Sequence, residues 1–237
     1  MKRLQVIGLF VATFLFSAAK AQTADEIINK HITAIGGKEA WLKVNSMKME
    51  AGLSVQGMDI PVTIYQVHNK GQRQEFTAMN MTGYTIITTE GGWNFNPLGG
   101  QTKPEPMTAD ELNAAKDGLD IQGDLLDYAA KGHKVELQGK EDVDGTEAFK
   151  IKLTRKSGNE VVYFIDPTTY YIIRSINKLK VNGQEVEQKV NIGNYQKLPE
   201  GIVIPFTIES PGAPAPINIK KAEVNPTIDP ALFKPAQ

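Results

Sequence analysis

The side chains best suited to catalysis or metal binding are few in this chain of 237 residues, and they lie far apart in the sequence. Its three histidines are His31, His68 and His133. None of them forms a pair at the i, i+4 spacing with which a helix binds zinc. We therefore expect each to be solvated or to make a single hydrogen bond. The chain has no cysteine, which excludes a thiol nucleophile.

Acidic residues next to turns give no stronger signal for chemistry. Residues 141–145, Glu-Asp-Val-Asp-Gly, contain the start of a calcium-loop pattern but lack the third ligand position and the distal glutamate. We interpret this segment as an Asp-Gly turn, and Asp166-Pro167 as part of a type I turn. No Gly-x-Ser-x-Gly pattern and no phosphate-binding loop is present. The sequence thus gives no reason to expect an enzyme, a metal or a cofactor.

The distribution of charge excludes a further set of functions. The formal net charge of the whole chain is −1, and basic residues form no run or stripe. Binding to nucleic acid requires such a cluster to neutralise phosphates, so nucleic acid is not an expected partner. Electrostatic attraction to anionic lipid is missing for the same reason. Any contact with lipid would have to be hydrophobic.

The first 21 residues have the three parts of a secretory signal peptide. Lys2-Arg3 precedes the apolar run Val6–Phe16, and Ala19-Lys20-Ala21 offers a small-residue cleavage site. The apolar run is too short for a stop-transfer helix. We therefore expect export, cleavage after Ala21, and a soluble periplasmic protein without a lipid anchor, because the chain has no cysteine to acylate. Since disulfides are also excluded, residues 22–237 must be stabilised by a core, and we predict one domain.

Apolar side chains are better candidates for a functional site than polar ones. Residues Gly83–Gly100 predict two strands joined at Glu90-Gly91-Gly92, because the glycine pair permits the positive φ of a tight turn. Pro97 ends the second strand. Trp93 and Phe95 stand two residues apart and so lie on one face, where they bury a large apolar area.

Alternation of apolar and polar residues predicts strands over most of the remaining chain. The stretch that contains Met49 and Leu53 is one example, and Asn182-Gly183 gives the strongest short hairpin signal. Every connection but one is short, which favours an antiparallel meander. We predict a mainly β (α+β) fold, an open antiparallel β-barrel of about eleven strands with helices covering its concave face.

Two capping boxes predict the helices. Thr23–Glu26 begins a helix that carries an apolar stripe and ends at Gly36-Gly37. A second box, Thr108–Glu111, lies within the one long connection, Asn96–Lys134. Leu112, Ala115, Leu119, Gln122 and Leu126 would share one face of the helix that follows. Gly118 and Gly123 interrupt it, and each costs roughly 1 kcal/mol relative to alanine, so this helix needs a surface to lie on.

Apolar residues of the sheet and of this second helix could line a cavity between them. Periodicity alone favours a closed core instead. The weakened helix and its place in the only long connection favour a cavity with a movable cover. The predicted ligand-binding residues are Met49, Leu53, Ile86, Trp93, Phe95, Met107, Leu112, Leu119 and Leu126.

One segment is similar to a known family. Residues 86–97, Ile-Ile-Thr-Thr-Glu-Gly-Gly-Trp-Asn-Phe-Asn-Pro, resemble the acidic-Gly-x-x-Trp-x-aromatic-Asn-Pro stretch of the periplasmic outer-membrane lipoprotein carriers, the LolA-like superfamily. One residue fewer separates the acidic residue from Trp93 here. Residues Ala24–Met49 resemble the opening of such proteins from Bacteroidetes-type bacteria. The order of the predicted elements matches this family over nearly all of the mature chain.

The resemblance implies a half-barrel whose apolar concave side accommodates acyl chains. It places Trp93 and Phe95 on the cavity wall and makes Thr108–Lys131 a lid. Carriers of this family have an arginine before the third strand that helps to control the lid, and Lys70 and Arg73 are the nearest residues here. The expected function is non-enzymatic binding or transport of lipids or lipoprotein acyl chains. The protein is expected to be a monomer, with an outer- or inner-membrane lipoprotein-handling protein as its partner. The alternative is an envelope sensor or scaffold with a closed core and a protein partner.

Overall fold

The structure is a computed structural model that describes residues 22–181, 184–211 and 213–236. The predicted signal peptide and the predicted Asn182-Gly183 turn lie outside the described residues. No helix in the described part of the chain is both long and apolar enough to cross a bilayer.

The described residues form thirteen strands, three α-helices and three short 3₁₀ turns. The strands are β1 (Ser46–Val55), β2 (Met58–Val67), β3 (Gly71–Ala78), β4 (Met81–Thr88), β5 (Gly92–Phe95), β6 (Glu105–Pro106), β7 (Lys134–Val143), β8 (Thr146–Thr154), β9 (Glu160–Ile165), β10 (Ile172–Val181), β11 (Gln184–Lys197), β12 (Val203–Glu209) and β13 (Ile217–Val224). The helices are α1 (Ala24–Ala34), α2 (Lys38–Trp41) and α3 (Ala109–Lys116), and the 3₁₀ turns are Pro97–Gly99, Asp117–Leu119 and Pro230–Phe233.

All strands belong to one antiparallel sheet in the order β6-β5-β4-β3-β2-β1-β13-β12-β11-β10-β9-β8-β7. The predicted meander is confirmed, because neighbours in the sheet are neighbours in sequence except where β1 pairs with β13. The sheet is open, with β6 and β7 as its edges, and it has thirteen strands rather than about eleven. The two-residue strand β6 follows a proline and has no alternation, so no pattern in the sequence marks it.

The connection between β6 and β7 joins the two edges and shows how strongly the sheet curves. The amide of Asn69, after β2, donates to the carbonyl oxygen of Leu119 at 2.9 Å. Asn159, before β9, donates to the carboxylate of Asp117 at 2.7 Å. Six strand spacings separate β2 from β9, about 30 Å in a flat sheet. One 3₁₀ turn can reach both only if the sheet wraps around this connection.

Local chemistry accounts for α1. The Thr23 hydroxyl accepts a hydrogen bond from the Glu26 amide, and the Glu26 carboxylate accepts one from the Thr23 amide, which completes the predicted capping box. The helix ends before Gly36, whose φ is +111°. A Cβ on Gly36 would lie 2.4 Å from the carbonyl oxygen of Gly201, so only glycine permits this close approach to the sheet. Ile27 and Ile28 are buried against β8 and β9.

The long connection is less helical than its apolar pattern predicts. The capping box at Thr108 is present, but α3 has only eight residues and ends at Lys116. A 3₁₀ turn and a series of irregular turns follow, with φ of +79° at Gly123 and +52° at Asp127. The prediction of one amphipathic helix through Leu126 was therefore wrong beyond Lys116. Two of its members, Leu119 and Leu126, are nevertheless buried, because the irregular turns carry them onto the sheet.

Strand register divides the sheet into two faces, since directly opposed residues of antiparallel strands point to the same side. The inner face carries Met47 and its opposed neighbour Gln66, whose amide donates to the carbonyl oxygen of Gly118 in the long connection. The outer face carries the alternating residues, among them Lys48 and Glu50. The helices α1 and α2 and the long connection therefore pack on the inner face.

Candidate functional site: an apolar cavity on the inner face

A cavity of about 240 Å³ lies on the inner face of the sheet. Its walls are the C-terminal half of α1, Trp41 of α2, the irregular segment 121–126, and side chains of β9 to β12. These elements come from three separate regions of the sequence. The cavity therefore exists only because the sheet curves and brings them together.

Most of the cavity wall is aliphatic. The sheet contributes Ile172, Ile192 and Ile204, and the covering segments contribute Ile35 and Leu126. Part of this wall is continuous with the larger of the core clusters on the inner face, to which Trp41, Leu126 and Ile204 belong. A wall of this composition favours a ligand with an extended apolar part.

A buried ion pair fixes the segment that closes one side of the cavity. The Asp124 carboxylate accepts hydrogen bonds from Arg155 Nε at 3.0 Å and Nη2 at 2.7 Å, and from the Tyr163 hydroxyl at 2.6 Å. Only 9% of each charged side chain is exposed. Burial alone would lower the pKa of Arg155, but the hydrogen bonds and charge of Asp124 raise it. Burial and the same carboxylate raise the pKa of the Tyr163 hydroxyl well above its usual value.

Further contacts hold the same segment on both sides of Asp124. Lys131 pairs with Asp120, and Lys38 of α2 pairs with Asp127 at 2.6 Å. Because Leu125 and Leu126 are also buried, the part of this segment that lines the cavity, residues 121–126, is anchored on the inner face.

The helix α3 is held much less firmly than the segment after it. None of its residues is buried, and Leu112 is only half-buried. It contacts β4 from one half of the sheet and β10 from the other. The predicted cover Thr108–Lys131 thus has two parts, a helix without buried residues that contacts both halves of the sheet and an anchored segment that follows it.

The structure brings some of the predicted site residues together. Leu126 lines the cavity. Met49 and Leu53 lie on the inner face and pack, half-buried, against the cluster that contains Leu126. Leu119 is buried where the connection meets the turn after β2, and the Met107 sulfur lies against Gly92 on the inner face.

Three predicted residues lie on the other face. Ile86 and Trp93 oppose each other and are in register with Arg73, which places them on the outer face together with Phe95. The C-terminal segment covers this region, since the Ala236 amide donates to the Tyr84 hydroxyl at 2.9 Å and the Tyr84 and Phe95 ring centroids are 5.4 Å apart. These aromatic residues are therefore not brought to the cavity, and their contact with a ligand stays a prediction.

Among the described residues, neither candidate for the family's lid arginine forms a side-chain hydrogen bond or ion pair with the cover. Arg73 lies on the outer face, where its Nε donates to Glu75 at 2.6 Å and its Nη1 donates to the carbonyl oxygen of Leu232 at 3.1 Å. Its guanidinium also stacks 4.0 Å from the centre of the Tyr84 ring. Lys70 is an exposed turn residue. Arg73 thus stabilises the C-terminal segment on the sheet.

The sequence analysis missed several residues of the cavity. His31 makes the single hydrogen bond that was one of its two expected states, but its burial on the cavity wall was not predicted. Its place among Ile27, Ile28 and Ile32 on the apolar stripe of α1 could have indicated that burial. The Asp124–Arg155 pair joins residues 31 apart in sequence, and no motif connects them. Among the described residues, no cluster of three or more His, Asp or Glu side chains could hold a metal ion.

Comparison with known proteins shows what this architecture is similar to. Models of protein families give no match, and curated proteins give no relative. A solved LolA superfamily protein from Nitrosomonas europaea aligns with 90% of this chain and 99% of its own, at 12% identity and a TM-score of 0.55. This chain has a LolA-like fold.

Two further solved structures are similar to this chain. A DUF1329 family protein from Desulfovibrio piger has a TM-score of 0.55 and 14% identity, over 90% of this chain and 98% of its own. A putative outer membrane lipoprotein-sorting protein domain from Vibrio parahaemolyticus has a TM-score of 0.49 and 12% identity, over 88% and 94%. At these identities the likeness concerns the fold alone.

Proposed function

We propose that this protein is a non-enzymatic binder or carrier of lipids or lipoprotein acyl chains in the cell envelope. The observation that carries the proposal is the cavity of about 240 Å³ with its aliphatic wall. An acyl chain is the common envelope ligand whose apolar part matches such a wall. The expected signal peptide supports the periplasm as the place of action, with the protein a soluble monomer that exchanges its cargo with a membrane lipoprotein-handling protein.

The cover suggests how a chain would enter. Residues 117–131 are held by the buried Asp124–Arg155 pair and stay in place, whereas α3 has no buried residue. Movement of α3 away from β4 and β10 would open the inner face at low cost, since few apolar contacts would be lost. The half-buried Met49 and Leu53 then extend the apolar surface beyond the cavity.

Tryptophan fluorescence can test the proposal, because the two tryptophans lie on opposite faces of the sheet. Trp41 lines the cavity, and Trp93 lies on the outer face. In the Trp93→Phe variant, titration with a spin-labelled fatty acid is expected to quench Trp41 strongly. In the matched Trp41→Phe variant, quenching of Trp93 is expected to be weak. Strong quenching of Trp93 instead would move the site to the aromatic residues that the sequence favoured.

A second pair of variants tests whether the cavity itself binds the chain. Ile192→Trp places a large ring in the cavity, whereas Ile176→Trp makes the same change at a half-buried isoleucine of the neighbouring strand on the outer face. We expect the first variant to lose at least tenfold in affinity and the second to bind normally. Equal binding by both, or no binding of any lipid by the delipidated wild type, would contradict the proposal.

The anchored segment favours one other candidate, a sensor or scaffold with a closed core that binds a protein partner. Leu119, Leu125 and Leu126 are buried as in an ordinary core. Hydrogen exchange separates the two functions. A carrier should show faster exchange in α3 than in the central strands, and added lipid should slow it. If α3 exchanges as slowly as β1 and lipid has no effect, the scaffold is the better description.

A further inference from the structure

His31 has one ring nitrogen engaged by the protein and is almost enclosed. It lies in the last turn of α1, and 5% of its surface is exposed. Its Nδ1 lies 2.8 Å from the carbonyl oxygen of Tyr170. A carbonyl oxygen only accepts, so Nδ1 carries the proton and donates. Burial lowers the pKa of His31, which keeps the ring neutral near pH 7. The other nitrogen, Nε2, is therefore an acceptor.

The acceptor Nε2 has no protein partner among the described residues, and the residue that carries it lines the cavity. His31 lines the cavity, and no described residue forms a hydrogen bond with its Nε2. Among the described residues, one side-chain nitrogen or oxygen atom is fully enclosed and has no hydrogen-bond partner, and that atom is His68 Nδ1. His31 Nε2 is thus not fully enclosed, and the cavity is the space that its residue adjoins. A buried acceptor of this kind gains free energy when a ligand donates a hydrogen bond to it.

The aromatic side chains that line the cavity already donate their N–H and O–H hydrogen bonds to protein acceptors, so they offer no free donor to a ligand. Trp41 Nε1 donates to the carbonyl oxygen of Ile35 at 2.9 Å. The Tyr195 hydroxyl donates to the carbonyl oxygen of Ile172 at 2.8 Å, and the Tyr163 hydroxyl is bound to Asp124. The Gln122 amide both donates and accepts, so it sets no preference. Apart from that amide, the polar atoms that these residues present to the cavity are acceptors.

We infer that the cavity selects acyl-chain ligands that carry a neutral hydrogen-bond donor, a hydroxyl or an amide N–H, and that His31 Nε2 accepts this hydrogen bond. This inference rests on the proposed function and adds the chemical class of the ligand. A carboxylate offers only lone pairs to Nε2 and would enter a cavity whose lining already includes the anionic residue Asp124. An alkane or a simple ester fills the cavity but leaves Nε2 unsatisfied. An alcohol or an amide satisfies it.

The test is a ligand series in which the chain is constant and the head group changes. Dodecanol and N-methyldodecanamide each offer a donor, methyl dodecanoate offers acceptors only, and dodecanoate is an anion. Affinities are measured by quenching or shift of Trp41 fluorescence in the Trp93→Phe protein and by native mass spectrometry. We expect the alcohol or the amide to bind roughly threefold to tenfold tighter than the ester, the range of one neutral hydrogen bond. Which of the two binds better distinguishes a hydroxylated lipid from an N-acyl group.

The variant His31→Asn isolates the role of Nε2. Its shorter amide can still donate to the carbonyl oxygen of Tyr170, but it has no group at the position of Nε2. The preference for alcohol or amide over ester should disappear in this variant, where each affinity is compared with that of the ester for the same protein. An unchanged preference in the variant would overturn the inference.

The remaining outcomes separate this inference from the proposed function. If all four ligands bind the wild type equally well, the cavity binds chains but does not select a donor, and only the inference fails. If none binds, both fail. Nitrogen-15 NMR of the histidine rings gives an independent check that needs no variant: His31 should have a protonated Nδ1 and an unprotonated Nε2 that shifts when dodecanol is added. A proton on Nε2 in the neutral ring would overturn the inference.

Discussion

The buried pair between Asp124 and Arg155 allows a quantitative prediction about the cover of the cavity. In Asp124→Ala, Arg155 loses the bonds at 3.0 and 2.7 Å, and the Tyr163 hydroxyl loses its acceptor at 2.6 Å. Removal of one partner from a buried ion pair costs about 3–5 kcal/mol. Arg155 keeps Asn177 at 3.2 Å and Asp117 at 3.7 Å. We therefore expect the free energy of unfolding to fall by about 3 kcal/mol, at the lower end of this range.

Urea denaturation followed by circular dichroism measures this loss, and a double variant supplies the control. Asp124→Leu combined with Arg155→Met removes both charges and leaves no isolated ion, so most of the lost stability should return. Hydrogen exchange then shows where the single variant is weakened. Residues 120–131 should exchange much faster than in the wild type, while β8 and β9 change less.

The result that refutes this reasoning is a loss below 1 kcal/mol in Asp124→Ala with an unchanged dependence on urea. A loss that small would mean that residues 117–131 detach from the sheet at little cost and let water reach Arg155. The anchored segment would then itself be a lid, as the apolar pattern first suggested, and α3 would not be the only movable part of the cover.

Four further changes test other parts of the structure. Burial lowers the pKa of His31 below 6.5, so between the folded and the unfolded pKa the unfolded chain binds a proton that the folded chain does not. The free energy of unfolding should be full above pH 6.5, fall as the pH drops from 6.5 to the folded pKa, and level off below it. His31→Asn should remove this pH dependence in urea denaturation. Gly83→Ala would place a Cβ 2.3 Å from Phe76 Cζ and should lower the unfolding free energy by about 1–3 kcal/mol, whereas Gly193→Ala meets no atom within 4 Å and should change it by less than about 0.5 kcal/mol. Met79 has φ of +51° in a two-residue hairpin turn, so Met79→Asn should raise the thermal midpoint, and a lowered midpoint would contradict this account of the turn. EDTA should leave the midpoint unchanged, and a shift of several degrees would reveal a metal site.

Local features of the sequence determined the elements of this protein. Thr23 and Thr108 begin helices because each hydroxyl and the glutamate three residues later satisfy free backbone amides, a relation that involves only four consecutive residues. Alternation predicted the long strands, and short turns predicted their antiparallel pairing, because both depend on neighbours in sequence. The resemblance around Trp93 predicted the LolA-like fold that this chain shares with the solved protein from Nitrosomonas europaea.

The tertiary structure alone decided which residues line the candidate site. Alternation places Ile86 and Trp93 on one face of a strand but does not say whether that face is inner or outer, and the register with Arg73 makes it outer. The sequence marks an apolar pattern through Leu126, but Asp124, Arg155 and Tyr163 hold that segment in irregular turns that no helical period describes. These decisions depend on contacts between residues far apart in the chain. Only the curvature of the open meander brings such residues together, and a pattern read along the chain carries no information about it.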